Sequence, residues 1–559
     1  MFSTILSTML STMFSTMFSS NSSDYLLRFF VVFFMVFRPG EEARSESKSV
    51  AEGPDLIVGI VVDKMRYDYL TRMWDRFGDG GFRRLVSEGS SFSNARYDYL
   101  INQSAPGYAT IFTGANPSAH GIISDKWYDR LRDEMVSAVY SDNAVAVGGS
   151  FVNGKRAPSG LLAGTFGDGL RMANDFRSRI FSVSLNDAAS IISGGFSANT
   201  AWWFDNASGT WMSSSYYIDS LPDWVEEFNT RMLPDTYLKR KWEPVAERYS
   251  YFRVGKEPKP DAFQYDLKRM RRRGDDYELL RSIPYGNTFT KDFALNLILN
   301  EQLGKRNSAD MLIIGFSATA EIDRKYGTFS MEVQDTYLRL DRDIAHLLDF
   351  LDEHFGRSRI LVFLTSDRAV SYPASYNNYA RIPGGTFSPG MAMSLLRSYL
   401  NVTYGQGDWV STYNAGMVYL NHNFVEDNNI QLDEIQKRAA RFLNQFSGVA
   451  GTLAEDVLRS NYFSSGVQAQ IQAGFHPKRS GDIMIYLQQG WFERSLSGDQ
   501  LSLISYDRHV PLIFYGWNID SNSFRSEVGV VDIAPTISLL LDIPIAPFTS
   551  GKPIMELIR

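Results

Sequence analysis

Cysteine is missing from all 559 residues. That absence removes disulfides, thiolate metal sites, thiol nucleophiles and a lipid-anchored cysteine from consideration. Histidine is scarce too: His120, His346, His354, His422, His476 and His509 make up the whole supply. Any metal site built on several imidazoles must draw on that short set. Net positive charge is also lacking. At a formal −7, composition offers no general affinity for nucleic acid or an anionic membrane. The local exception is Lys268-Arg269-Met270-Arg271-Arg272-Arg273, with Asp275, Asp276 and Glu278 close behind. A solvated helical face and a phosphate-binding patch both fit that pattern.

No run is apolar for long enough to span a bilayer as written. Leu26 to Phe37 reads "LLRFFVVFFMVF", about a dozen residues broken by Arg28, against the roughly 20 a spanning helix needs. It reads as the hydrophobic region of an export signal, with an uncleaved membrane anchor as the alternative. The expected location is the periplasm or cell envelope. The Ser/Thr/Met/Phe tract before it, "MFSTILSTMLSTMFSTMFSS", has no design for a core. Residues 1–50 are therefore set apart from the folded chain.

What remains has the composition of a globular protein, 44% hydrophobic and 21% charged. Three runs, Leu56 to Val62, Met311 to Phe316 and Ile360 to Leu364, are apolar on both faces, the pattern of strands in a buried parallel sheet. Val333, Tyr337, Leu340, Ile344, Leu347 and Leu351 recur at spacings of four and three, one apolar helical stripe. Strand, helix, strand is the unit of an α/β fold. "HVPLIFYGW" adds a late strand and "VVDIAPTISLLLDI" a helix after it. Two stretches break the rhythm, the aromatic-rich residues 200–285 and the turn-rich residues 385–500. Both read as insertions capping the sheet, which leaves core segments at 51–199, 286–384 and 501–559. The cluster "AWWFDNASGTWMSSSYY" is expected to be buried in the first cap, or else to be a sugar-stacking platform.

Six motifs now occur in order: "GIVVDKMRYDYL", "NQSAPGYATIFTGANPSAHGI", "FSVSLNDAASII", "DTYLRLDRDI", "FLTSD" and "SYDRHVPLIFYGW". Together they resemble the alkaline phosphatase superfamily. The likeness is to its phosphate-irrepressible single-chain bacterial branch, near the type I phosphodiesterase/nucleotide pyrophosphatases, and it runs from Asp55 to Ile554. It implies a three-layer α/β/α sandwich with a cap, or crown, built from insertions. It also implies two zinc ions about 4 Å apart that clamp a phosphoester for in-line displacement, each held by about three Asp/His-type ligands.

Carried over by position, the resemblance places metal ligands at Asp63, Asp367 and His509. Ala320, Arg324 and Arg368 stand where further ligands belong. The nucleophile position is Ser104. The phosphate-contacting positions hold Asp125, Asn186 and Ala188, none of them cationic. A shifted reading could recruit Glu321 or Asp323, but one residue turns a helical side chain by about 100°. The expectation is a pseudophosphatase with no zinc, or zinc at reduced stoichiometry, in which Arg324 and Arg368 neutralise the orphaned carboxylates. Its partner would be a protein, a glycan or a phosphate-containing ligand in the cap cleft. No nucleic acid is expected, and the membrane is touched only through a possible N-terminal anchor.

The alternative is an active phosphatase or phosphodiesterase with a reduced metal site, Ser104 as nucleophile and arginines clamping phosphate. A metal-free Ser104–His509 hydrolase is a third reading, without a G-x-S-x-G motif behind it. Gly107 and Gly114 are expected to shape the helix after Ser104, whose N-terminus would offer an anion site that Asp125 opposes.

Overall fold

The computed structural model describes residues 53–558, apart from 101–102, 248–249, 253–262, 272–276, 373, 495–499 and 502–507. The apolar Leu26 to Phe37 segment, read above as an export signal, and the tract before it lie outside the described residues. Among those described, no helix is long and apolar enough to cross a membrane.

An 11-stranded sheet organises the chain. At its centre Leu56–Val62 pairs in parallel with both Asp310–Phe316 and Ile360–Thr365, and all three strands are buried along their whole length. The physical reason is visible in the alternation. Ile57 and Val61 face one hydrophobic cluster, while Leu56, Val58, Ile60 and Val62 face another. One face is covered by helices Ser104–Thr113, Phe166–Ala173, Asp187–Gly194 and Ile533–Leu540. The other is covered by Tyr285–Asn300 and Met331–His354, the long helix that carries the predicted stripe. This is the α/β fold that the motifs imply.

The start of the first expected insertion belongs to the main sheet. Thr200–Asp205 pairs in parallel with Ile180–Ser184, and Thr210–Ser214 returns antiparallel to it, so both extend the main sheet. Trp202 and Trp211 are fully buried against Phe293 and Phe289 of the flanking helix. The sugar-stacking platform is thereby excluded for them. Their rings are core, because a strand buried on both sides needs large apolar side chains on each. Val225, Phe228 and Trp242, further along the segment, pack on the same flank. In the basic run, Arg271 pairs with Asp235 at 2.6 Å and Arg269 with Asp266 at 3.4 Å.

Residues 385–500 behave differently. They carry a four-stranded sheet of their own, Val410–Asn414, Met417–Leu420, Ile483–Leu487 and Val449–Ala454. Helices Pro389–Tyr404 and Leu432–Leu443 pack on it. Asp482, wholly buried at its start, receives the Leu420 amide at 2.7 Å and pairs with His422 at 2.6 Å. A side chain from outside this segment joins it: Arg130 reaches Asp482 at 3.1 Å.

Candidate functional site

The carboxyl ends of the parallel strands meet at one edge, where ligands bind in open α/β sheets. Asp63 follows Leu56–Val62 and Asp367 follows Ile360–Thr365. His509 begins the strand His509–Gly516, which runs antiparallel to Ile360–Thr365, so its first residue lies at the same edge. Ser104 is the first residue of Ser104–Thr113. That helix closes tightly over Asp367: a Cβ on Gly107 would lie 1.9 Å from the Asp367 carbonyl oxygen. Glycine is therefore obligatory there. Gly114 serves differently, ending the helix in the left-handed region at φ 66°.

Asp63 and Asp367 come together, and both are buried, at 1% and 0% exposure. The Tyr108 hydroxyl donates to Asp63 Oδ1 at 2.7 Å. The Lys64 amide donates to Asp367 Oδ1 at 2.8 Å. Arg368 lies in the same buried space, with Nη1 2.9 Å from Asp367 Oδ2. Burial, then Asp367, drives the Asp63 carboxyl well above its usual range, while Arg368 and Tyr108 pull it back. Burial lowers the Arg368 guanidinium, but Asp367, Asp125 and Asp63 outweigh it and raise the pKa. A buried charge pair holds only when every charge finds a partner. Here the guanidinium pairs directly with Asp367 and lies in the field of Asp125 and Asp63.

The other arginine does not take part in this way. Arg324 forms an ion pair with Glu321 on its own helix, Ala318–Tyr326, at 41% side-chain exposure. The expectation that both arginines neutralise the centre is corrected for Arg324. A carboxylate one turn earlier on the same helix, Glu321, pairs with it. Ala320 fills its ligand position with a buried methyl group. His509 is turned elsewhere: its Nε2 donates to the Ser93 carbonyl at 2.9 Å, and its ring stacks on Tyr67 at 4.8 Å. Burial lowers its pKa. A Ser104–His509 catalytic pair is not formed, since Ser104 Oγ is buried without a hydrogen-bond partner among the described residues.

The phosphate-contacting positions have been put to other uses. Asp125 Oδ1 accepts the Ala105 amide at 2.7 Å, so a carboxylate of the chain itself occupies the N-terminus where an anion would sit. Asn186 caps Asp187–Gly194, accepting from the amides of Ala188 and Ala189. Ala188 supplies only that amide. Between them Asp187 pairs with Arg156 at 2.6 Å.

Several participants were missed from sequence. Lys64 adopts a left-handed backbone, φ 57°, and its Nζ lies 3.7 Å from Asp323. The carboxylate a shifted reading would recruit is therefore taken by a second cation. Tyr108 was legible in principle, being four residues after Ser104 on one helix face. Arg156 lies far from Asp187 in sequence, and no spacing announces it.

The donor set does not fit a two-metal centre. Among the described residues no three His, Asp or Glu side chains converge to hold a metal ion, and the carboxylates that remain are engaged by Arg368, Lys64, Tyr108 and backbone amides.

Comparison with known proteins gives consistent relatives. A family model described as type I phosphodiesterase / nucleotide pyrophosphatase matches residues 57–507. A Myroides odoratus protein named calcium-transporting ATPase is 34% identical over 523 residues, 91% of this chain and 95% of that protein. Alkaline phosphatase PafA of Elizabethkingia meningoseptica is 33% identical over 526 residues, covering 90% and 94%. The crystal structure of wild-type alkaline phosphatase PafA matches with a TM-score of 0.85 at 31% identity, over 91% of this chain and 99% of that one. Taken alone, these names favour the active alternative over a silenced enzyme.

Proposed function

Because the chain belongs to the type I phosphodiesterase / nucleotide pyrophosphatase family, and is alkaline-phosphatase-like in sequence and fold, we propose that it has given up two-zinc hydrolysis for a binding or scaffolding role. One observation carries this reading: the Arg368 guanidinium is paired with Asp367 inside the buried centre, at 2.9 Å. A metal entering there must displace a fixed cation, and among the described residues no imidazole converges on the two carboxylates. Asp125 on the Ser104 helix supports the same reading, since it sets a negative charge where a phosphate dianion would bind. The partner is proposed to be a protein, a glycan or a phosphate-containing ligand. Export to the periplasm or cell envelope rests on the apolar Leu26 to Phe37 segment and is checked by cell fractionation.

The names of the relatives support the second reading, hydrolysis of phosphoric esters by Ser104 with a reduced metal site. Hydrolysis of p-nitrophenyl phosphate and its bis ester by the full chain separates the two. The proposal expects no turnover that Ser104→Ala abolishes. Turnover that needs Ser104 overturns it.

A further inference from the structure

Away from the strand edge, a cavity of about 300 Å³ opens where the hairpin Lys126–Asp129/Glu134–Ser137 meets the Lys478–Arg479 turn of the 385–500 segment. Four cations line it, Arg130, Arg132, Lys478 and Arg479, against one carboxylate, Asp129. On a chain of net charge −7, that local excess has to be explained.

Two of these guanidiniums are poorly compensated. Arg479 donates to the carbonyls of Gly121 and, in a shorter contact, Gly160, and stacks on Trp127 at 4.7 Å. No carboxylate bonds to it among the described residues. Burial lowers its pKa to about 10, with Asp129 opposing only in part. Arg130 reaches Asp482 and the Ser480 carbonyl through one nitrogen, yet its Nε is buried with no acceptor among the described residues. Lys478, exposed at the rim, has no ion pair or side-chain hydrogen bond among them. Arg132 is already engaged, with Asp142 at 2.7 Å. A buried donor without an acceptor costs about 1–3 kcal/mol, and more when charged. An anion reaching Arg130 Nε would remove that cost and would also offset the charge of Arg479, which no carboxylate pairs among the described residues.

We propose that this seam is a binding site for a tetrahedral oxyanion, phosphate or sulfate, free or as an ester on a sugar. Its size suits a small charged group on a saccharide better than a nucleotide or lipid, being at the lower end of ligand pockets (about 300–1,000 Å³). The site deepens the binding role proposed above without depending on it, since an active phosphatase could carry it too. Because the seam joins the hairpin after Asp125 to the second sheet, an occupant would also tie those two parts together.

The test is titration calorimetry on the full chain with inorganic phosphate, inorganic sulfate and glucose 6-phosphate, repeated on Lys478→Ala, Arg132→Ala and Ser104→Ala. Lys478 and Arg132 are exposed enough to be removed without loss of fold. The expected result is saturable binding of at least one oxyanion, weakened about tenfold by Lys478→Ala, the equivalent of one charge-assisted contact, and unchanged by Ser104→Ala. Preference for the sugar ester over the inorganic anions identifies the ester as the source, and equal binding identifies the free anion. No saturable binding of any of the three, or binding lost in Ser104→Ala and kept in the cavity variants, overturns the proposal. Oxyanion binding is read by calorimetry and the catalytic reading by Ser104-dependent turnover, so the failure of one is distinguishable from the failure of the other.

Discussion

The centre divides into two halves with different partners. Asp63 and Asp367 are buried together beside the Arg368 guanidinium, with the Lys64 ammonium on neighbouring Asp323. Ala320, Arg324 and His509 serve other contacts: one is a buried methyl group, one pairs with Glu321, and one binds the Ser93 carbonyl. The difference follows from where charge is buried. Charged carboxylates inside a fold demand compensation, from a cation or from several donors, whether or not a metal supplies it. A neutral imidazole demands only an acceptor, and Ser93 supplies one.

The largest effect that can break this contrast is regained chemistry. Ala320→Asp, Arg324→His, Arg368→His, Asn186→Lys and Ala188→Arg together should give measurable zinc-dependent hydrolysis of p-nitrophenyl phosphate, because strand ends and the Ser104 helix already stand in register. Next comes Arg368→Met, which should destabilise the fold by about 3–5 kcal/mol in urea unfolding, the usual result of leaving a buried charge alone.

Glu493 is a buried carboxylate with no ion pair among the described residues. It accepts from the Tyr413 hydroxyl at 2.8 Å, and burial pushes it up to about 7. A raised acid favours the folded state below its unfolded pKa, near 4.5, and that contribution fades as pH climbs through 7. Glu493→Gln should therefore be neutral at pH 4 and stabilising by about 2–3 kcal/mol at pH 8 in paired urea melts. In the dismantled half, His509→Phe keeps the stack on Tyr67 and loses the bond to Ser93, for about 1 kcal/mol. Arg324→Ala should change stability by less than about 0.5 kcal/mol. A large effect there would make the two halves alike.

How far the sequence reached depends on the kind of signal. Strands apolar on both faces, such as Leu56–Val62, and the stripe of Met331–His354 were legible because burial dictates them locally. Thr200–Asp205 is also buried on both faces, yet its tryptophans and the charged stretch after it mimic an insertion. Its place beside Ile180–Ser184 is a long-range fact that composition does not encode. The same holds in the site. Asp63, Asp367 and Ser104 are read from motifs, and Arg368 from its adjacency to Asp367. Lys64 reaches Asp323 only because its backbone turns left-handed, which no residue type announces for lysine. Arg324 pairs with Glu321, not with Asp63 or Asp367, a choice its place in the motif does not disclose.

Zinc titration of the full chain tests the central claim most directly. If Arg368 has taken the place of the metals, calorimetry should show no saturable binding at the centre, and Arg368→Ala alone should not create it, since His509 and Ala320 still withhold ligands. Saturable uptake of about two equivalents by the unmodified chain, lost in Asp63→Asn, would contradict the account.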